Sequence, residues 1–263
     1  MTKNEKIKQS RIETKQRRQS QDLKIVELKV NCHHISKKNF AKLNSLFIEA
    51  KWIINDILAS EDIFEYNYKD HRKVINFDRD KNQVERNLTI NTAIHQTLIA
   101  KVQQDIVNLS KKKAKGRKVG KLKFKRQVNC LPLRTGSFRI KNSKTLVIPH
   151  FRDLKVYGLN QLEAFPNYEV ANANLIKKVS GFYIKLTVFI PKNNEKRTPT
   201  NKTVGLDFGI KDNITTSDGE KFNCSVQESE YLKFLQRKLT KKQKNSKRYY
   251  KCLNQLQKEY EHL

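Results

Sequence analysis

One carboxylate stands out by its setting. Asp207 lies between Leu206 and Phe208 in TVGLDFGIKDNITTSDGEKF, residues 203–222, with Gly205 and Gly209 on either side. An unpaired charge is costly to bury, so an acid in an apolar strand needs a reason. Three reasons are open. The acid hydrogen-bonds locally or ends a strand. It holds a divalent cation, as in two-metal phosphodiester cleavage, where carboxylates fix ions about 4 Å apart. Or it faces nucleotide phosphates, as in the strand, Asp-x-Gly and hairpin that open sugar kinases and actin-like ATPases. That last use needs a second phosphate loop and more glycine than the eight found here. Asp212 and Asp218 have a simpler explanation, because both fall in turns.

A second cluster, Cys32-His33-His34, has metal-binding side chains at adjacent positions. Neighbours on a strand point to opposite faces and converge poorly on one ion, so these read as strand-end residues. Cys32, Cys130, Cys224 and Cys252 include no Cys-x-x-Cys pair, so no zinc site is expected.

Charge supplies the other chemistry. The chain has 55 Lys and Arg against 26 Asp and Glu, a net charge of +29. Such an excess repels itself unless something anionic neutralises it. Nucleic acid is the leading partner and an anionic membrane surface the second. No apolar run approaches the roughly 20 residues that cross a bilayer. The basic N-terminus lacks the apolar stretch of a secretory signal. A cytoplasmic protein without a membrane partner is therefore expected. Two segments concentrate the cations. Residues 111–126, KKKAKGRKVGKLKFKR, hold ten Lys or Arg in sixteen positions and no acid. The candidate phosphate contacts there are Lys111, Lys112, Lys113, Arg117, Lys118, Lys121, Lys123, Lys125 and Arg126. Residues 233–251 hold nine cations in nineteen positions, with Arg237, Lys238, Lys241, Lys242, Lys244, Lys247 and Arg248 as the candidates. The bland alternative for either run is a solvated face.

The residue pattern outlines the elements that must position these groups. Residues 1–21 are polar and basic and read as a disordered tail. Residues 22–30, DLKIVELKV, alternate like a half-buried strand. Ser36 suits the N-cap of a helix whose apolar face is Phe40, Leu43, Phe47, Ala50, Ile54 and Ile57, with Trp52 packing beside it. Residues 61–81 show no clean period. A second helix is expected over 82–109, with Val84, Leu88, Ile94, Leu98, Val102, Ile106 and Leu109 as its buried stripe. From 136 to 190 the pattern turns to short strands. GSFRIKNSKTLVIP turns at Asn142-Ser143, LKVYG follows, and NLIKKVSGFYIKLTVFI is a hairpin turning at Ser180-Gly181. Closely spaced antiparallel strands predict a small barrel, which strand 22–30 joins. Residues 191–202 form a polar linker. Beyond it come strands at 203–209, 214–217 and 220–223, with a hairpin turn at Asp218-Gly219. A basic helical segment follows and breaks near Asn245-Ser246. The fold class is thus α+β: a small antiparallel β-barrel with a helical insertion, then the meander that opens an RNase H-like domain, then basic helices.

Two stretches carry a resemblance. VGLDFGIKDNITTSDGEKF and LKFLQRKLTKKQKNSKRYYKCLNQLQKEY resemble the TnpB or OrfB proteins of insertion sequences, relatives of the compact type V CRISPR nucleases. The likeness lies in Gly-hydrophobic-Asp-x-Gly-Ile-Lys, a Ser-Asp-Gly turn, Gln-Arg-Lys-Leu-Thr-Lys-Lys and Lys-x-Ser-Lys-Arg. KLKFKR and the Ser180-Gly181-Phe182-Tyr183 hairpin are similar to the family's barrel. The resemblance spans roughly residues 22–263 and is specific within 204–251.

It implies a transposon-encoded, RNA-guided DNA endonuclease whose partners are DNA and a guide RNA, held in a basic channel while base pairing supplies specificity. It implies a first wedge strand at 22–35, a helical recognition insertion at 36–110, a basic loop and wedge barrel at 111–200, and an incomplete RuvC-like nuclease domain at 201–263. Asp207 matches the first of three acids that hold Mg²⁺. The family's later Glu, its last Asp and its Cys-x-x-Cys zinc finger are not in this chain. The last helix carries Tyr249, Leu253, Leu256, Tyr260 and Leu263 and stops in mid-pattern, which reads as an interrupted gene or a fragment. One carboxylate cannot position two ions. The expectation is nucleic-acid binding without cleavage and without stably held Mg²⁺. A catalytically dead regulator of the same descent is the alternative.

Overall fold

The computed structural model describes residues 2–77, 82–192, 203–209, 213–223 and 228–261. The chain forms two units, Met1–Lys192 and Asn193–Leu263. The first holds α1 (Lys3–Gln19), β1 (Gln21–Val30), α2 (Lys37–Ala59), β2 (Lys73–Phe77), β3 (Gln83–Asn87) and α3 (Thr92–Ala114). Then come β4 (Cys130–Leu133), β5 (Arg139–Asn142), β6 (Thr145–Ile148), β7 (Phe151–Tyr157), β8 (Glu169–Lys178) and β9 (Gly181–Pro191).

Seven strands form one antiparallel sheet, in the order β4-β8-β9-β1-β7-β6-β5, curled as a half-barrel. β1 sits at its centre, opposite β9 along most of its length and opposite β7 at its end. Its alternation buries Val26, Leu28 and Val30 and leaves Leu23 and Ile25 exposed. A slip of one residue would exchange those faces, so the register is strongly specified. Phe182, Ile184, Leu186 and Val188 of β9 face the same core, which α2 and α3 complete with Leu43, Leu46, Ile53, Ile57, Ile94 and Leu98. Each such side chain contributes on the order of 2 kcal/mol by leaving water.

Helix α2 starts where its cap dictates: Ser36 accepts a hydrogen bond from the Asn39 backbone N–H. The expected apolar face is buried except Phe40, which is exposed but meets Phe182 edge-on. Trp52 is half-buried, with Arg86 over its ring. The hairpin β8–β9 has the two-residue loop Val179-Ser180, one position earlier than expected, with Gly181 at φ 138° opening β9. The β5–β6 turn falls at Ser143-Lys144, one position later than expected.

Three expectations need correction. Residues 3–19 are the helix α1 and not a disordered tail. Thr2 and Glu5 form a reciprocal capping box there, and the stretch has no Gly or Pro to break it. Arg17 and Arg18 tie the helix's end to Glu169, and Arg18 also lies 3.5 Å over the Phe189 ring. Second, 83–87 is not helical. β3 pairs with β2, and α3 begins only at Thr92, where the Asn91 side chain accepts from the Ala93 N–H. The four-residue step from Val84 to Leu88 therefore spans a strand and a loop. Third, Cys32–His34 is a single turn of 3-10 helix, capped by Asn31.

The second unit holds β10 (Leu206–Asp207), β11 (Ile214–Thr216), β12 (Lys221–Phe222), α4 (Glu230–Thr240) and α5 (Lys247–Tyr260). The three strands form their own antiparallel sheet with β11 in the middle. Gly219, at φ 82°, makes the β11–β12 turn beside Asp218. α4 and α5 pack through Leu232, Leu235, Leu239, Cys252 and Leu256. The break between them comes at Asn245, at φ 68°, followed by Ser246 capping α5. Of the linker expected at 191–202, Pro191 is the last residue of β9; residues 193–202, Asp212, Cys224 and Leu263 lie outside the described residues.

Candidate nucleic-acid interface

Asp207 lies on β10, an edge strand, and is exposed. The burial cost that its apolar neighbours suggested does not arise. Period-two alternation separates the faces. The register Leu206↔Thr216 and Ile214↔Phe222 puts Leu206, Ile214 and Phe222 on one face. Asp207, Thr215 and Lys221 share the other. Leu206, Phe208 and Phe222 are themselves exposed, Phe208 by 75 %.

No hydrogen bond or ion pair engages the Asp207 carboxylate among the described residues, and none of them forms a group of three His, Cys, Asp or Glu able to hold a metal ion. A hydroxyl and an ammonium on the face of Asp207 do not make a Mg²⁺ site. The described residues do not fit that ion.

A second site is built in the first unit, where the basic segment crosses α2. Lys111, Lys112 and Lys113 form the last turn of α3, where cations also suit the helix dipole. From Lys115 the chain leaves the helix. Leu122 and Val128 tuck against the core. Asn55 of α2 pins the backbone between them with both ends of its amide: Nδ2 donates to the Lys125 carbonyl (3.0 Å) and Oδ1 accepts from the Lys125 N–H (2.7 Å). Arg117, Lys118, Lys121, Lys123, Lys125 and Arg126 are all exposed.

Beside this pinned segment lies a groove of about 160 Å³, with Ile48, Lys51, Arg126, Val128, Asn129 and Lys177 in its lining. Phe47, Ile48 and Val128 share its lining with the amides of Gln127 and Asn129. Its three charged groups are all cations and come from α2, the basic segment and β8. The Lys177 ammonium is held by the Asn44 side-chain oxygen at 2.7 Å. Like charges gathered around one groove reinforce a positive potential and favour a polyanion. Sequence reasoning found Arg126 but missed Lys51 and Lys177. Nothing in their local sequence separates them from other surface lysines; only the packing of α2 against β8 brings them together.

The basic candidates of the second unit lie on and between α4 and α5. Arg237, Lys238, Lys241, Lys244, Lys247 and Arg248 are exposed and Lys242 is half-buried. Lys238 lies 5.3 Å over the ring of Phe234, itself an exposed aromatic.

A buried cluster in the first unit has side chains suited to acid–base chemistry. Tyr66 donates to the Asp56 carboxylate at 2.6 Å, and the His71 Nδ1 lies 3.1 Å from the same oxygen. Tyr66 stacks on His71, and His95 packs nearby. Burial, then the Asp56 carboxylate, pushes the Tyr66 hydroxyl up, so it is a poor proton donor for catalysis. The arrangement instead ties residues 61–72 to α2 and α3.

His95 is 4 % exposed, and its Nε2 has no hydrogen-bond partner among the described residues. Burial pushes its pKa down to about 4, aided by His71 and opposed by Asp56. An unfolded histidine titrates near 6.5, so between pH 6.5 and 4 the unfolded chain binds the extra proton. Stability is complete above that window and falls as the pH drops through it, by up to about 3 kcal/mol. Urea denaturation at pH 7 and pH 4.5 reads the difference, and His95→Leu removes most of it. Equal pH dependence in parent and variant contradicts this assignment.

No helix of the described residues is long and apolar enough to cross a membrane. No protein-family model matches the chain, and no curated protein matches it.

Proposed function

We propose that this chain is a nucleic-acid-binding protein of the TnpB or OrfB type, which holds guide RNA and DNA through phosphate contacts and does not cleave DNA by itself. The observation that carries this reading is the groove of the first unit. Three cations from separate elements line it without a carboxylate, next to a segment with ten Lys or Arg in sixteen residues. Phosphate contact by such groups supplies most of the affinity of nucleic-acid binders.

The order of elements supports the family reading. A helical pair with its hairpin lies between β1 and the remaining strands of the sheet, as expected for a wedge barrel with a recognition insertion. The RNase H-like reading of the second unit rests on the sequence around Asp207 and on the place of that acid at the first strand of a meander. The expectation of no cleavage rests on chemistry: two-metal hydrolysis needs several carboxylates around the ions, and among the described residues Asp207 belongs to no group of three metal-ligating side chains.

A supercoiled-plasmid assay with Mg²⁺ and RNA that co-purifies with the chain tests both halves. Expected are retarded plasmid and no nicked product. Cleavage abolished by Asp207→Ala overturns the claim of inactivity, and a plasmid that is not retarded overturns the claim of binding.

A further inference from the structure

Phe124 is a large apolar side chain that the fold leaves in water. It is 65 % exposed, although Leu122 and Val128 on either side of it in sequence reach the core. Single exposed hydrophobic residues are common and need no explanation. Two features set this one apart. Its backbone is held: the next residue, Lys125, is bound at both its N–H and its carbonyl by Asn55 of α2. Its flanks are cationic: Lys121, Lys123, Lys125 and Arg126 are all exposed, and the groove holding Arg126 adds Lys51 and Lys177. A ring presented on a fixed backbone within a cationic track matches the two requirements for holding a single strand. Those are phosphate-neutralising charges and an aromatic face on which a base can stack.

We propose that Phe124 is a base-stacking residue, and that the track from Lys121 to Arg126 with its adjoining groove takes an unpaired stretch of nucleic acid. The inference rests on the nucleic-acid reading above and narrows it, because paired bases in a duplex offer no free face to the ring. Stacking needs the base and the charges need only phosphate, so the two contributions separate experimentally.

The test uses the full chain and the variants Phe124→Trp and Phe124→Ala. The parent carries one tryptophan, Trp52, whose signal is the background. Oligothymidine and oligouridine supply unpaired bases on the two backbones, a self-complementary duplex supplies phosphates with its bases paired, and heparin is a polyanion without bases. Expected is quenching of the new indole by the single strands and little by duplex or heparin, although all four bind. Phe124→Ala weakens single-strand binding about 5- to 150-fold, the range that alanine substitution gives for base–aromatic stacking, and leaves heparin affinity unchanged. Single strands that bind without quenching, with Phe124→Ala unaffected, overturn the stacking role and leave the nucleic-acid reading standing. Failure of all four polyanions to bind removes both. Quenching by one of oligothymidine and oligouridine alone supports the proposal and shows which of the two strands the track prefers.

Discussion

Raising monovalent salt from 50 to 200 mM lowers the affinity of this chain for a nucleic-acid oligonucleotide by about a thousandfold or more. The reasoning runs from charge to counterions. Each ammonium or guanidinium that neutralises a phosphate releases condensed counterions, and log affinity then falls linearly with log salt. The slope is about −0.9 per contact on duplex and −0.7 on single strands. Fifteen of the sixteen candidate cations are exposed, and the groove adds Lys51 and Lys177. Six engaged phosphates suffice for the thousandfold change on a duplex and about eight on a single strand, so the prediction needs only a minority of them. Fluorescence anisotropy of a labelled oligonucleotide across the salt series measures the slope. A response shallower than about one unit removes the case for multiple phosphate contacts.

The second large effect is on stability. Glu49 lies on α2 with 4 % of its surface exposed, a position where a charge needs full compensation. It has that compensation. Oε2 accepts from the backbone N–H groups of Thr89 and Ile90, each at 2.7 Å, and Oε1 accepts from the Thr89 hydroxyl at 2.7 Å. The carboxylate thereby fastens the segment before α3 to α2 and orders two donors that no strand or helix satisfies. Glu49→Ala removes the acceptor and leaves all three donors behind. Breaking a buried charged network of this kind costs about 3–5 kcal/mol. That is a large share of the roughly 5–15 kcal/mol that holds a domain folded. Glu49→Gln keeps one carbonyl oxygen and recovers about half. Trp52, on the same helix, reports unfolding of this unit by its fluorescence in a urea titration. A loss below about 1 kcal/mol for Glu49→Ala would mean that water replaces the carboxylate without penalty.

Glu49 also shows where sequence reading reaches its limit. The helix around it is legible: Ser36 marks the cap, and apolar residues recur at steps of three and four. The β8–β9 hairpin is legible too, because strict alternation over Leu175, Phe182, Ile184, Leu186 and Val188 has only one face to bury. The partners of Glu49 are not, since Thr89 and Ile90 are reached only once the β2–β3 hairpin has turned the chain back. That hairpin was itself hidden: Val84 and Leu88 fit a helical period, and pairing with β2 is a non-local choice. α1 was hidden for the opposite reason. A polar helix buries nothing, so hydrophobic periodicity is silent, and only the Thr2–Glu5 capping box marks its start.

The candidate site divides in the same way. Composition exposes the basic segments directly, because charge runs are local. The groove is tertiary: Lys51, Arg126 and Lys177 come from three distant parts of the chain. Asp207 is the reverse case, where a local pattern of Leu206, Asp207 and Phe208 suggested burial. The strand proves to be an edge of two residues with both faces open among the described residues.

The most direct measurement is the salt titration repeated on two variants that lose equal charge at different places. One is Lys51→Gln, Arg126→Gln, Lys177→Gln, in the groove. The other is Lys3→Gln, Lys6→Gln, Lys8→Gln, on α1, where all three are exposed. If the groove binds phosphate, the first variant lowers the magnitude of the single-strand slope by about 2 units, and the second leaves it nearly unchanged. Equal slopes in the two variants would show that only net charge matters and would contradict a built interface on the first unit.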